Sequence, residues 1–158
     1  MNDVTTRYQG YLVAQLVLGA IGFVVLAVAD FGGFYYRAGS VDVYGSVYLG
    51  SGLVPTVLVL LGLGGLGLAG WAALDSLRDE TATLETVAAN ARRSVRAGLF
   101  TAGLAVAGAV ALAVANWGVT WWLDAGFWGA FAGGVFVAAL GVLLRNAVED
   151  ELAAGPPP

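Results

Sequence analysis

GFWGAFAGGVFVAALGVLL, residues 126–144, contains no charged side chain and is almost entirely apolar. Three further stretches of the same kind lie at 11–29, 53–74 and 97–115. At a rise of about 1.5 Å per residue, each stretch is long enough to cross the roughly 30 Å hydrocarbon core of a bilayer as a helix. The sequence therefore predicts an all-α membrane protein, a four-transmembrane-helix bundle with spans at about 8–30, 53–75, 97–116 and 126–145.

Composition agrees with this fold class. Apolar residues make up 59% of the 158 residues, whereas apolar residues and glycine together reach only about half of an average soluble domain. Four spans with short connections leave no length for a separate soluble domain. We therefore expect one transmembrane domain at 1–146, followed at 147–158 by an acidic, proline-ending tail that is frayed or disordered.

The charged residues of the chain are unusual. All seven basic residues are arginine, and eleven acidic residues give a formal charge of −4. Acidic chains without lysine are typical of growth at high salt and of GC-rich genomes, so we expect a halophile as the source, and an archaeal one. The excess of acid also argues against nucleic acid as a partner, because phosphate binding requires a basic surface.

Several side chains that carry membrane chemistry are missing from the sequence. It has no cysteine and no histidine, and its one methionine is Met1. Their absence removes thiolate nucleophiles and the usual ligands of zinc and haem. The four spans also lack the buried acids and bases that coupled transporters use. We therefore expect no metal, no cofactor and no enzymatic activity.

The distribution of arginine predicts the orientation of the bundle in the membrane. Arg37 is the only basic residue in the two segments that connect the first span to the second and the third span to the fourth. The opposite side carries Arg7, Arg78, Arg92, Arg93, Arg96 and Arg145. Because cytoplasmic flanks are enriched in basic residues, we expect a multi-pass protein of the cell membrane with both termini in the cytoplasm.

The first span has an alternative interpretation as a cleaved signal peptide, since Ala27 and Ala29 form a small-x-small site directly before Asp30. However, the apolar run exceeds the usual signal-peptide core of roughly 7 to 15 residues. The flank before it carries only Arg7, which is offset by Asp3. We therefore expect the first span to be retained.

Small residues recur at every fourth position in the last two spans, a pattern that lets helix backbones approach closely. We expect these rows to pack the third and fourth spans as a close hairpin. An interface with a partner or a second copy is the alternative use of the same rows. The predicted packing residues are Gly103, Ala105, Ala107, Ala109, Ala111, Gly126, Ala130, Gly134 and Ala138.

The segment 75–96 between the second and third spans is predicted to be helical. Apolar or small side chains recur there with alternating spacings of four and three residues, at Leu77, Thr81, Leu84, Ala88, Ala91 and Val95. This spacing predicts helices that extend the spans beyond the membrane and contact each other.

The outer side of the bundle is the best candidate for a recognition surface. Residues 35–49 are rich in tyrosine and valine and interrupted by glycine, which predicts a short β-hairpin between the first two spans. A second outer turn at 116–125 concentrates tryptophan. An interfacial aromatic belt would explain these rings, and a partner or ligand surface is the alternative. The candidate residues are Tyr35, Tyr36, Arg37, Tyr44, Tyr48, Trp117, Trp121, Trp122 and Trp128.

Arg37 is the only cation of this outer side, which also holds Asp30, Asp42 and Asp124. We expect ion pairs among these residues that fix the outer loop to the bundle. Exposed ion pairs contribute little to stability.

The order of elements resembles that of the claudin-like tetraspan proteins: a span, an outer loop with strand character, a span, a cytoplasmic link, and two spans joined by a short outer turn. The resemblance implies a small outer sheet that mediates lateral and cell-to-cell contacts. It covers topology alone, because the first outer loop is less than half the family's usual length. The loop also lacks the family's Trp, Gly-Leu-Trp and paired-cysteine motif, so no family role is carried over to a residue of this chain.

Two function classes follow from the sequence. The first is a structural, scaffold or accessory subunit, which contacts the lipid bilayer and other membrane-protein chains or a second copy. The second is a small channel or transporter component that works as a homo-oligomer, although Gln15, Thr56 and Thr101 are nearly all the polarity in the spans. An enzyme that acts on lipid is a third and less favoured class.

Overall fold

The computed structural model describes residues 3–155 and contains four long helices and a small sheet. In chain order the elements are α1 (Asp3–Val28), β1 (Gly32–Ala38), β2 (Val41–Val47), α2 (Leu53–Arg78), α3 (Leu84–Ala115), β3 (Thr120–Leu123) and α4 (Ala125–Ala154). All four helices are long and apolar enough to cross a membrane. The architecture indicates a multi-pass membrane protein and agrees with the predicted set of four long apolar helices.

The helices form a bundle in which each contacts two neighbours. α1 and α3 both pack against α2 and α4, whereas α2 and α4 touch only sparsely across the bundle. The most extensive contact joins α3 and α4, as the small residues of both spans predict. Apolar side chains are buried in two clusters. One lies near the chain termini and includes Tyr8 and Leu144; the other lies near the sheet and includes Leu26 and Phe127.

The contact between α3 and α4 depends on two glycines that face each other. A Cβ atom added to Gly98 would lie 2.5 Å from the carbonyl oxygen of Gly134, and one added to Gly134 would lie 2.6 Å from that of Gly98. Ala102 and Ala138 flank this crossing, and both are buried. Backbones in direct contact gain dispersion energy that lipid does not replace.

The predicted packing residues divide by burial. The buried ones are Ala105, Gly126, Ala130, Gly134 and Ala138. The exposed or half-buried ones are Gly103, Ala107, Ala109 and Ala111. Gly103 follows Gly98 by five residues, which places it about 140° around the helix from the α4 contact. The row that begins at Gly103 therefore lies on the outside of the bundle.

The segment 75–96 is helical as predicted except at its centre, because α2 ends at Arg78 and α3 begins at Leu84. Residues 79–83 form a tight turn, so the predicted helical position of Thr81 is wrong. The Asp79 carboxylate accepts hydrogen bonds from the backbone amide of Thr81 at 2.8 Å and from its hydroxyl at 2.7 Å. These bonds favour the charged form and lower the pKa of Asp79. Thr83 then caps α3, because its hydroxyl oxygen accepts from the amide of Thr86 at 3.3 Å.

Helix α4 continues into the segment 147–158, which the sequence predicts to be frayed. That expectation is wrong up to the end of α4. Val148 is fully buried in the cluster near the termini, and Glu149 forms an ion pair with Arg92 of α3 at 3.3 Å. These contacts with other helices stabilise the last turns, and local composition does not reveal them. Residues 156–158 lie outside the described part of the chain.

Candidate functional site

A three-stranded antiparallel sheet lies at the end of the bundle where α1 ends and α2 begins. β1 and β2 form the predicted hairpin, with Gly39 at a φ of 64° in its turn. β3 comes from the second outer segment and pairs with the other edge of β1, where Tyr35 lies opposite Thr120. The sequence predicts only a turn there, because a strand of four residues is too short to show a period.

The outer face of the sheet carries three aromatic rings. Tyr35 and Tyr44 are cross-strand partners, and their ring centroids are 4.8 Å apart. The Trp122 ring covers Gly33, where an added Cβ atom would lie 2.5 Å from Cζ2 of the tryptophan. Only glycine leaves room for the ring. Tyr44 remains 69% exposed and Trp122 39% exposed, so this face presents aromatic surface away from the bundle.

Arg37 and Asp42 are also cross-strand partners on the outer face. Arg37 Nε lies 3.8 Å from Asp42 Oδ1. The Tyr35 hydroxyl donates a hydrogen bond to the same oxygen at 3.0 Å, which raises the pKa of Tyr35. The three side chains therefore hold one another in place beside Tyr44. Their exposure keeps the contribution to stability small.

The two other acids of the predicted ion-pair set have different roles. The Asp124 carboxylate accepts from the amide of Ala125 at 2.7 Å and caps α4. Asp30 contributes its backbone carbonyl, which accepts from the amide of Gly126 at 2.8 Å. The Asp30 contact joins the end of the first span to the start of α4. Among the described residues, Asp42 is the acid that pairs with Arg37.

The inner face of the sheet is aromatic as well. The Phe34 ring lies over Gly45, and the Tyr36 ring stacks beside it with centroids 6.5 Å apart. Trp121 is the partner of Phe34 on β3 and so shares this face. Tyr36 and Trp121 remain 40% and 39% exposed. Such rings at the edge of an apolar bundle suit an aromatic belt at headgroup depth.

Three predicted surface residues lie outside the sheet. Trp117 follows α3 and is exposed, as is Tyr48 after β2. Trp128 lies in the first turn of α4, with its ring edge-on to Phe127 at 4.9 Å between centroids. All three lie near helix ends on the side of the sheet, a position typical of interfacial anchors.

An apolar cavity of about 370 Å³ lies between the inner face of the sheet and helices α2 and α3. Phe34 and Val47 contribute to it from the sheet. Thr101 and Asn116 are the polar side chains of its lining. Both already donate to backbone carbonyls of α3, at 3.0 and 2.8 Å. The lining therefore suits hydrocarbon rather than a polar solute.

Within residues 3–155, no group of three or more acidic, histidine or cysteine side chains is placed to bind a metal ion. No protein-family model matches the chain, and no curated protein matches its sequence significantly. The fold therefore defines a class of protein but not a family. The class is a bundle of four helices long enough to span a membrane, with an aromatic three-stranded sheet at one end.

Proposed function

We propose that this protein is a tetraspan protein of the cell membrane that acts as a structural or accessory subunit and binds another membrane-protein chain through its outer sheet. One observation supports this above all: Tyr35, Tyr44, Trp122 and the Arg37–Asp42 pair share a single exposed face. Tyrosine, tryptophan and arginine are the residue types that dominate binding energy at protein interfaces. The proposed role is non-catalytic.

Strand β2 offers a second means of binding on the same surface. It is one of the two edge strands, and its free edge along Val41–Val47 has no strand partner within residues 3–155. An unpaired edge accepts a strand of another chain through backbone hydrogen bonds. Asp42 and Tyr44 project from this strand and would supply specificity.

Combined replacement of Tyr44 by Ala and Trp122 by Leu should release the partner. Interface hot spots each contribute about 2 kcal/mol or more, so loss of one is expected to weaken binding about thirtyfold. The measurement is quantitative co-purification of the tagged protein from its own membrane, with partners identified and counted by mass spectrometry. A melting curve of the variant checks that the bundle is intact.

Trp117→Leu is the matched control, because Trp117 is an exposed ring near the sheet but not part of it. This variant should retain partners like the parent. Combined replacement of Arg92, Arg93 and Arg96 by Gln tests the opposite end of the bundle. The proposal fails if the sheet variant keeps every partner and the arginine variant loses them.

We further propose that both termini face the cytoplasm. Arg7, Arg92 and Arg145 lie at one end of the bundle, where acidic residues of the last turns of α4 pair with them. A reporter that is active only outside the cytoplasm should be inactive when fused after Gly155 and active when inserted in the β1–β2 turn at Ser40. The reverse pattern would invert the topology.

A homo-oligomeric channel or transporter component is a second candidate function. The exposed small residues Gly103, Ala107 and Ala111 favour it, because such a stripe lets helices of separate copies approach closely. A detergent-extracted particle with the mass of several copies and no other polypeptide would support it. A claudin-like contact protein is a further candidate, and the participation of both outer segments in one sheet supports it.

A further inference from the structure

A groove of about 650 Å³ runs along the outside of the contact between α2 and α3, in the half of the bundle nearer the chain termini. Its apolar walls include Leu68 and Phe100, which are 67% and 50% exposed. Gly64 leaves a gap in the wall, since a Cβ atom added there would meet nothing within 4 Å. At the next residue, Gly65, an added Cβ atom would clash with the Thr101 hydroxyl, so the two helices are closely packed there.

Arg93 and Arg96 lie at the charged end of this groove. They are three residues apart on α3 and therefore on one helix face. Both are exposed, and neither forms an ion pair within residues 3–155. Arg93 donates to Asn90 Oδ1 at 2.9 Å, which leaves most of its five N–H donors free. The groove thus ends in two cations without a carboxylate partner.

Asp75 is the acid that faces these arginines in the groove lining. Its carboxylate accepts from Asn90 Nδ2 at 3.1 Å. Two guanidinium groups against one carboxylate leave a net positive charge. Trp71 lies between the charged end and the apolar walls and is 66% exposed, which is the position that amphipathic rings take at headgroup depth.

The groove has the length of one membrane leaflet. The fifteen helical steps from Leu60 to Asp75 on α2 correspond to about 22 Å at a rise of about 1.5 Å per residue. Half of a bilayer, headgroups included, measures about 20 to 22 Å. A lipid whose headgroup lies at the arginines would therefore extend a chain past Trp71 and Gly64 to the far end of the groove.

We propose that this groove binds an anionic membrane lipid, with its phosphate on Arg93 and Arg96 and a hydrocarbon chain along Gly64 and Phe100. A guanidinium binds phosphate oxygens through two parallel hydrogen bonds. The apolar walls gain dispersion contacts with the chain. Basic pockets between membrane helices are suited to anionic headgroups. The cavity beneath the sheet has no cation in its lining and lacks this match.

Native mass spectrometry of the purified full chain tests the headgroup assignment. The parent should retain phosphatidylglycerol in preference to phosphatidylcholine with the same chains. Each arginine near anionic lipid contributes about fivefold in affinity, so the double variant Arg93→Gln, Arg96→Gln should lose about 25-fold. Arg92→Gln is the matched control, because Arg92 pairs with Glu149 outside the groove, and it should bind like the parent.

Gly64→Leu tests the chain assignment, because Gly64 lines the groove and a Cβ atom added there meets nothing within 4 Å. It should lower lipid retention, while Gly103→Leu, which also meets no neighbour, should not. Millimolar inorganic phosphate should fail to displace the lipid. Unchanged binding in Gly64→Leu, an equal loss in Arg92→Gln, or displacement by phosphate alone would each overturn the proposal. Melting curves establish that every variant is folded.

Discussion

Gly134→Leu should lower the free energy of unfolding of the bundle by about 1 to 3 kcal/mol, the usual range for overpacking. A Cβ atom at this position would lie 2.6 Å from the carbonyl oxygen of Gly98 and 2.8 Å from the amide nitrogen of Ala102. Both neighbours are backbone atoms, so relief requires a shift of α3 against α4. Equilibrium unfolding in detergent, followed by circular dichroism, measures the change.

Gly103→Leu is the control for this experiment, because it adds the same side chain to an exposed site on α3. It should leave stability unchanged or raise it, since glycine in a helix is less favourable than leucine by somewhat under 1 kcal/mol. Equal melting of the two glycine variants would show that Gly134 faces lipid.

The helical part of the fold could be predicted from the sequence because its signals are local. Uninterrupted apolar stretches such as 126–144 have the length of a bilayer-spanning helix, and the spacing in 75–96 indicates helical extensions. The signal for the β1–β2 hairpin is equally local, since Gly39 separates a run of phenylalanine and tyrosine from a run of valine and tyrosine. In contrast, β3 depends on a distant part of the chain, because it pairs with the edge of β1. The last turns of α4 also depend on distant residues, because Val148 is buried against other helices.

The candidate surface shows what a local pattern leaves open. Alternation along a strand predicts two faces, but both sets of side chains are aromatic, so hydrophobicity does not tell which face meets the bundle. The register places Tyr35 and Tyr44 outside and Tyr36 and Trp121 inside. In the same way, the small residues of the third span lie on more than one side of the helix, so the sequence does not predict which side packs against α4. The contact is made by Gly98, which belongs to none of the predicted rows of small residues.

Two amide side chains are buried in the bundle, and they differ in how well they are bonded. Asn90 Nδ2 donates to Ser76 Oγ at 2.9 Å, and its Oδ1 accepts from Arg93 at 2.9 Å. Gln15 Nε2 reaches the carbonyl of Val137 at 3.3 Å, and its Oε1 has no partner within residues 3–155. A buried amide is favourable only when its polar atoms are bonded.

Asn90→Leu should lower the free energy of unfolding by about 1 to 3 kcal/mol, because it breaks a network that joins α2 to α3. Gln15→Leu should leave stability unchanged or raise it, because it removes an unbonded oxygen while keeping a side chain of similar size. Equilibrium unfolding of both variants in the same detergent compares them. If Gln15→Leu is as destabilising as Asn90→Leu, then the hydrogen bond from Gln15 Nε2 to the carbonyl of Val137 outweighs the cost of the unbonded oxygen.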